Sequence, residues 1–374
     1  MTRVEPGFEL VAEEFERNFG ERGEHGAAFA AVADGELVVD LWGGTADQTR
    51  GAPWREDTVC PVFSGAKGLV ATCLLLLIER GKLELDAPLS RYWPQFGNER
   101  VLVRHAVSHT AGLPGIRAPV ALLDLLDYER MTSLLEAEEP YWEPGTRLAY
   151  HALTFGWLCG ELVRRIDGRT VGTFFAGEVA GPLGLELWLG LPDEVEPRVA
   201  RLRRAPDYRP SWGDEADPLV ETVYENPAFL TGEEFPWNDP AFRAAEIPGA
   251  NAIGTARSIA RLYGSLDRLL APETLHLGRT ALARDRCALT GRPYAFGVGF
   301  ELQTELGALG PPAAAFGHTG AGGSRHGAWP EQRVGFSYAM NELRAEDGDE
   351  RGRRLLAALA RAVSSAGRDR ASRP

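Results

Sequence analysis

The 374-residue chain carries 40 Lys and Arg against 53 Asp and Glu, a formal net charge of −13, with 44% hydrophobic and 25% charged residues. An acidic balance with no basic run argues against a nucleic-acid surface. The composition is that of a globular protein long enough for two domains or one elaborate one.

The N-terminal stretch "MTRVEPGFELVAEEFERNFG" lacks the apolar core of a signal peptide, so the cytoplasm is the expected compartment, with no membrane partner. Phe8, Val11, Phe15 and Phe19 fall at helical spacing and predict an amphipathic first helix. In "AAFAAVADGELVVDLWGG" two apolar runs flank Asp34-Gly35, a favoured two-residue turn, and predict a hairpin.

The next stretch is "CPVFSGAKGLVATCLLLLIERGKL". Only two lysines, Lys67 and Lys82, stand in a chain that otherwise uses arginine for positive charge. Lysine can lose its proton when buried, whereas guanidinium cannot. A helix starting near Ser64 brings Ser64 and Lys67 onto one face. The run from Leu69 to Ile78 is too short to span a bilayer, which takes about 20 residues, and reads as a buried helix that carries Lys67 into a dry environment. Desolvation there lowers the lysine from its ordinary value of about 10.4. Such an amine can take the proton of Ser64 Oγ, and the helix N-terminus favours the alkoxide.

Helical patterning returns in "GWLCGELVRRIDG" and "TARSIARLYGSLDRLL", separated by an irregular region between about Pro192 and Pro248 that is a candidate wall of a cleft. "YAFGVGFELQ", "FGHTGAGGSRHGAWPEQ" and "RVGFSYAMN" read as strands, and "RRLLAALARAVSSAG" as a closing helix with an Arg-rich tail. Strands at both ends around a helical middle predict an α+β fold whose sheet joins the termini. The four scattered cysteines form no Cys-x-x-Cys pair and read as buried free thiols. His105 and His109 lack the Glu of a zinc-binding His-Glu-x-x-His, so no metal is expected. The glycines after His318 match no phosphate-binding loop. His151 reads as a neighbour of the site or a surface residue, and Asn251 as a turn residue near a cleft.

In chain order, Ser64-x-x-Lys67, Tyr150-His151-Ala152 and His318-Thr319-Gly320 resemble the serine β-lactamase and penicillin-recognising superfamily, and more narrowly its class C β-lactamase-like family VIII carboxylesterases. "LDAPLSRYWPQF", "VRHAVSHTAGLPG" and "WEPGTRLAYHALTFGWLCGELVRRIDG" agree with that group in order. The resemblance implies a β-lactamase/transpeptidase-like fold: a discontinuous sheet domain over residues 1–58 and 290–374, a mainly helical domain over 59–289, and the active site between them. It implies Ser64 as nucleophile, Lys67 as activator and Tyr150 in the same proton network. The Ser64 and Ala321 N–H groups would form an oxyanion hole on the strand of His318 and Gly320. Trp212, Trp237 and Trp329 are candidate pocket walls, and no cofactor is implied.

The expected activity is cleavage of a small-molecule carboxylic ester through an acyl-enzyme. Alternatives are acyl transfer to an alcohol or amine acceptor, or, from another class, a non-turnover acyl-binding protein. Two departures from the β-lactamase pattern point away from β-lactam hydrolysis. Ala152 stands where an amide side chain is usual, and His318 replaces a permanent cation with an imidazole that is mostly neutral above about 6.5.

Overall fold

Along Gly26–Ala33, the side chains of Ala27, Phe29 and Ala31 enter one hydrophobic core while Ala28, Ala30 and Val32 enter another. A strand buried on both faces belongs in the interior of a covered sheet. The computed structural model, which describes residues 3–212 and 218–371, places it there. Gly26–Ala33 pairs with Glu36–Asp47 across the predicted turn, where Asp34 (φ 51°) and Gly35 (φ 83°) both take the left-handed conformation that such turns require.

The sheet has ten antiparallel strands. Its order is Arg3–Val4, Glu36–Asp47, Gly26–Ala33, Val334–Met340, Arg325–Trp329, Phe316–Thr319, Glu301–Leu302, Pro293–Phe296 and Ala283–Arg286, with Ala52–Pro53 added to Glu36–Asp47. The two chain ends build it together, as an α+β fold requires. It starts earlier than the expected boundary at residue 290, because Ala283–Arg286 forms a hairpin with Pro293–Phe296. That outermost strand, Ala-Arg-Asp-Arg, is largely exposed and polar, so it lacks the apolar alternation by which a strand is read.

The N-terminal helix Glu9–Glu21 and the C-terminal helix Arg351–Ala371 cover one face. Phe8, Val11 and Phe15 are buried against Leu355, Leu356 and Leu359, and Phe19 packs at the margin. The last three residues of the Arg-rich tail lie outside the described residues. On the other face, the helix Ala66–Glu79 is buried from Ala66 to Leu77. The helix Ala256–Gly264 lies so close to the sheet that a Cβ on Gly335 would stand 2.3 Å from the Gly264 nitrogen. This mid-chain helix therefore packs on the sheet, although its sequence position assigned it to the helical domain.

The irregular region holds only short helices, Pro218–Tyr224, Pro236–Asn238 and Pro240–Ala244, and its residues 213–217 lie outside the described residues. All four cysteines are buried and free. Among the described residues no helix is long and apolar enough to cross a membrane.

A buried charge network ties both termini to the sheet. The Arg351 guanidinium donates to Asp349 through Nε and Nη2, both at 2.9 Å, and to Glu24 Oε1 at 2.6 Å. The other Glu24 oxygen accepts from the Tyr338 hydroxyl on the strand Val334–Met340. Removing one member of such a network strands its partners' charge in a dry interior. Arg351→Met is therefore expected to lower unfolding free energy by about 3–5 kcal/mol in denaturant titration; a loss under about 1 kcal/mol would contradict this account.

Candidate active site

Ser64 sits where the strand Cys60–Pro61 turns into the helix Ala66–Glu79 through a short 3-10 turn, Phe63–Gly65. The turn is strained. Phe63 has φ 45°, an uncommon conformation for a bulky residue, and such strain persists only where the surroundings impose it. Here its ring is buried edge-on against Trp237 at 5.4 Å, and the flanking Val62 N–H is bonded to Ala252 O at 2.9 Å. The result is a serine at the first turn of a helix, with its side chain open to a cleft.

Lys67 is fully buried one turn on. Its Nζ lies 2.8 Å from Ala152 O, 2.7 Å from Gly249 O and 3.1 Å from Ser64 Oγ. Among the described residues no carboxylate pairs with it, and desolvation holds it well below the usual lysine range. In its neutral form an amine has two N–H donors and one lone pair; with the two carbonyls taking the donors, that form would turn its lone pair to the serine hydroxyl.

Both carbonyls are positioned by tight packing. Asn251, a turn residue as expected, accepts from Ile247 N–H at 2.9 Å and donates to Phe242 O at 3.0 Å, closing the loop that carries Gly249. Against that loop lies Gly156 of the helix Thr154–Asp167, where a Cβ would stand 2.1 Å from the Gly249 nitrogen.

Tyr150 closes the other side of Ser64. Its ring stacks on Tyr294 at 5.3 Å and lies 5.0 Å from Lys67 Nζ. Burial pushes its hydroxyl well above the ordinary value, while a side-chain hydrogen bond with Ser64 acts in the opposite direction. Tyr150 is therefore a protonated phenol in contact with the serine.

The strand Phe316–Thr319 forms the third wall. Glu301 accepts from both the N–H and the hydroxyl of Thr319, each at 2.8 Å. His318 lies in the cleft wall with Nδ1 2.6 Å from Thr319 O, and burial pushes it down to about 3. Glu301 stands 3.7 Å away, but desolvation dominates and the imidazole is neutral. A Cβ on Gly320 would lie 2.3 Å from Val62 O, so only glycine lets this strand approach the Ser64 turn so closely. Among the described residues neither the Ser64 nor the Ala321 N–H is taken up by another group, and both residues line the cleft. Two such donors can stabilise developing negative charge on a substrate oxygen.

The cleft encloses about 480 Å³ to its open mouth. Of the expected tryptophan walls, only Trp212 lines it, stacked on Tyr224 at 4.9 Å. Trp237 stands one layer back, beneath Phe63, with Nε1 donating to Phe229 O at 2.8 Å. Trp329 is displaced from the site altogether. Its strand, Arg325–Trp329, sends His326 and Ala328 to the active-site face and Trp329 to the opposite core, where Nε1 donates to Leu309 O at 2.8 Å.

His151 is not at the surface. It is buried, with Nδ1 2.6 Å from Ala149 O and Nε2 accepting from Leu113 N–H at 3.2 Å. His109 accepts the His151 N–H at 3.0 Å, and His105 the Leu102 N–H at 3.2 Å, so both rings bind backbone. Among the described residues no cluster of three His, Cys, Asp or Glu could hold a metal ion. Sequence reasoning did not single out Tyr294, Gly249 or Glu346 for the site. Tyr294 lay inside a recognised strand motif, whereas Gly249 acts through a backbone carbonyl that residue type does not encode.

The family model "Beta-lactamase" matches residues 12–361. The esterase/beta-lactamase LipL of Mycobacterium tuberculosis is 34% identical over 365 residues, covering 91% of this chain and 82% of that protein. The crystal structure of a family VIII carboxylesterase superposes with TM-score 0.89 at 35% identity, over 97% of this chain and 99% of the other. A penicillin-binding protein homologue from Caulobacter crescentus gives the same TM-score, identity and coverage.

Gly156 offers a direct test of how the lysine is held. Gly156→Ala pushes a methyl group into the Gly249 backbone, which cannot rotate away. Stability should fall by about 1–3 kcal/mol, and ester turnover should fall by more than the folded fraction accounts for. Unchanged melting and turnover would show that the Gly249 carbonyl does not need its present position.

Proposed function

The chain belongs to the Beta-lactamase family, and from that membership we propose that this serine hydrolase is a carboxylesterase working through an acyl-enzyme on Ser64. The observation that carries the reading is the buried, doubly anchored Lys67 amine 3.1 Å from Ser64 Oγ. Lys67 takes the serine proton as Oγ attacks the ester carbonyl. The carbonyl oxygen, becoming an oxyanion, is received by the N–H groups of Ser64 and Ala321, each worth roughly 10²–10³ in rate. Tyr150, held protonated by burial, hands a proton to the departing alcohol and recovers one through Lys67. Of the two, Lys67 is thus the base and Tyr150 the acid. Water then attacks the acyl-enzyme by the same route in reverse.

The sheet built from both chain ends and the helical middle act as the two sides of the cleft in this reading. The structural neighbours support an ester as substrate, since one is a family VIII carboxylesterase at 35% identity. An alcohol or amine in place of water would make the same site an acyltransferase.

Intact-mass analysis with p-nitrophenyl esters tests the proposal directly. A single acyl adduct is expected on the wild-type protein and none on Ser64→Ala, and added amines report whether the acyl group passes to them. An adduct that persists on Ser64→Ala would overturn the assignment.

The pH dependence tests the role of Lys67. Only the neutral amine is a base, and its folded value lies below the ordinary one of about 10.4. kcat/KM should therefore rise with pH through one ionisation below the ordinary lysine range and level off above it. His318, already neutral, should not set that limb, so His318→Asn should leave its position unchanged. Lys67→Arg keeps the charge and loses the base, and should cost roughly 10²–10⁴-fold in rate. Activity within a few-fold of wild type in Lys67→Arg would show that charge alone suffices.

A further inference from the structure

Among the described residues that line the cleft, Glu346 is the only acidic or basic side chain besides the neutral His318. It lies on the segment after the strand pair that joins Glu342–Leu343 to Arg203–Arg204, and it is half-buried. Two residues earlier the Arg344 N–H donates to Gly322 O at 3.1 Å, which ties this segment to the glycine turn after Thr319 and sets Glu346 at the wall of the cleft.

The arginines nearby do not neutralise this carboxylate. Arg292 Nη1 is bound to Asp347 at 2.5 Å, and Arg325 Nη1 donates to the Ala308 carbonyl. Neither lines the cleft, and among the described residues neither forms an ion pair with Glu346. Burial raises the Glu346 carboxyl, and the charges of Arg292 and Arg325 nearby act in the opposite direction without making an ion pair with it among the described residues. The same cleft is lined by the aromatic side chains Tyr150, Tyr294, Trp212 and Phe229. A carboxylate among aromatic faces is the chemistry that receives an ammonium group: the acid supplies the countercharge and the rings supply their negative faces.

We propose that Glu346 makes the cleft selective for esters carrying a fixed positive charge, an ammonium or quaternary ammonium group, seated between this carboxylate and the aromatic walls. The inference rests on the carboxylesterase reading and narrows its substrate class. Neutral esters still react, because the nucleophile and oxyanion donors do not need the charge. Anionic esters are disfavoured by the same carboxylate.

The test compares matched pairs that differ only in charge. Choline acetate is set against its carbon isostere neohexyl acetate for the alcohol side. The p-nitrophenyl ester of trimethylammoniobutyrate is set against its carbon isostere for the acyl side. Each rate is divided by the hydroxide rate of the same ester. In at least one pair the wild-type protein should prefer the cation by roughly ten- to a hundredfold in kcat/KM, and Glu346→Gln should reduce that preference to about threefold or less. Ratios near one in both wild-type pairs, or a preference that survives Glu346→Gln, would overturn the proposal.

Should that variant fail to fold, inhibition of the wild-type protein by choline, with neohexanol as neutral control, reads the same preference. Affinities of Ser64→Ala for the two members of each pair, by calorimetry, read it without turnover. If no ester is hydrolysed, the carboxylesterase reading falls. The cation preference is then decided by these affinities alone, and equal binding of both members would overturn it.

Discussion

A buried lysine amine held between two backbone carbonyls is the constraint on which the rest of this molecule depends. Burial disfavours its charged form, and the fold receives its N–H groups on backbone oxygens. The acceptors, Ala152 O and Gly249 O, come from distant parts of the chain. Holding them within 3 Å of one nitrogen requires the close contact of the helix Thr154–Asp167 with the loop before Asn251. A carboxylate beside Lys67 would favour the charged amine, and among the described residues none is hydrogen-bonded to it.

The same economy governs the rest of the site, in which backbone geometry matters as much as side chains. Phe63 holds the turn that carries Ser64 in a conformation its own residue type disfavours, with Trp237 fixing its ring. Gly320 lets the neighbouring strand approach to the distance at which two amides from separate elements can address one oxygen. Even His318 and His326, register partners on adjacent strands, are buried and pushed down to about 3, so they bring shape and no charge to the site.

Much of this was legible in the sequence, and for a physical reason in each case. Ser64 and Lys67 stood out because lysine is rare in this chain and the spacing puts both on one helical face. The hairpin around Asp34-Gly35 and the N-terminal helix were legible because their apolar periods are unbroken. Trp329 misled because strand alternation sends it to the far side of the sheet, and one residue of register decides that. Ala283–Arg286 was hidden because an exposed edge strand has no apolar period. The helix Ala256–Gly264 was recognised as a helix, but nothing local to it indicates the sheet it covers. Gly249 acts only through its carbonyl, and Glu346 acquires significance from a cleft assembled by segments far apart in the chain.

The placement of Val334–Met340 has a consequence for how the molecule is made. This strand lies between Gly26–Ala33 and Arg325–Trp329, so the hairpin Gly26–Asp47 has no partner on that edge until a strand far downstream in the chain has been made. Until then it presents a row of unpaired amides and carbonyls flanked by Phe29 and Val32, the kind of edge along which chains associate. Productive folding becomes a race between chain completion and self-association, with a high contact order slowing the closing step.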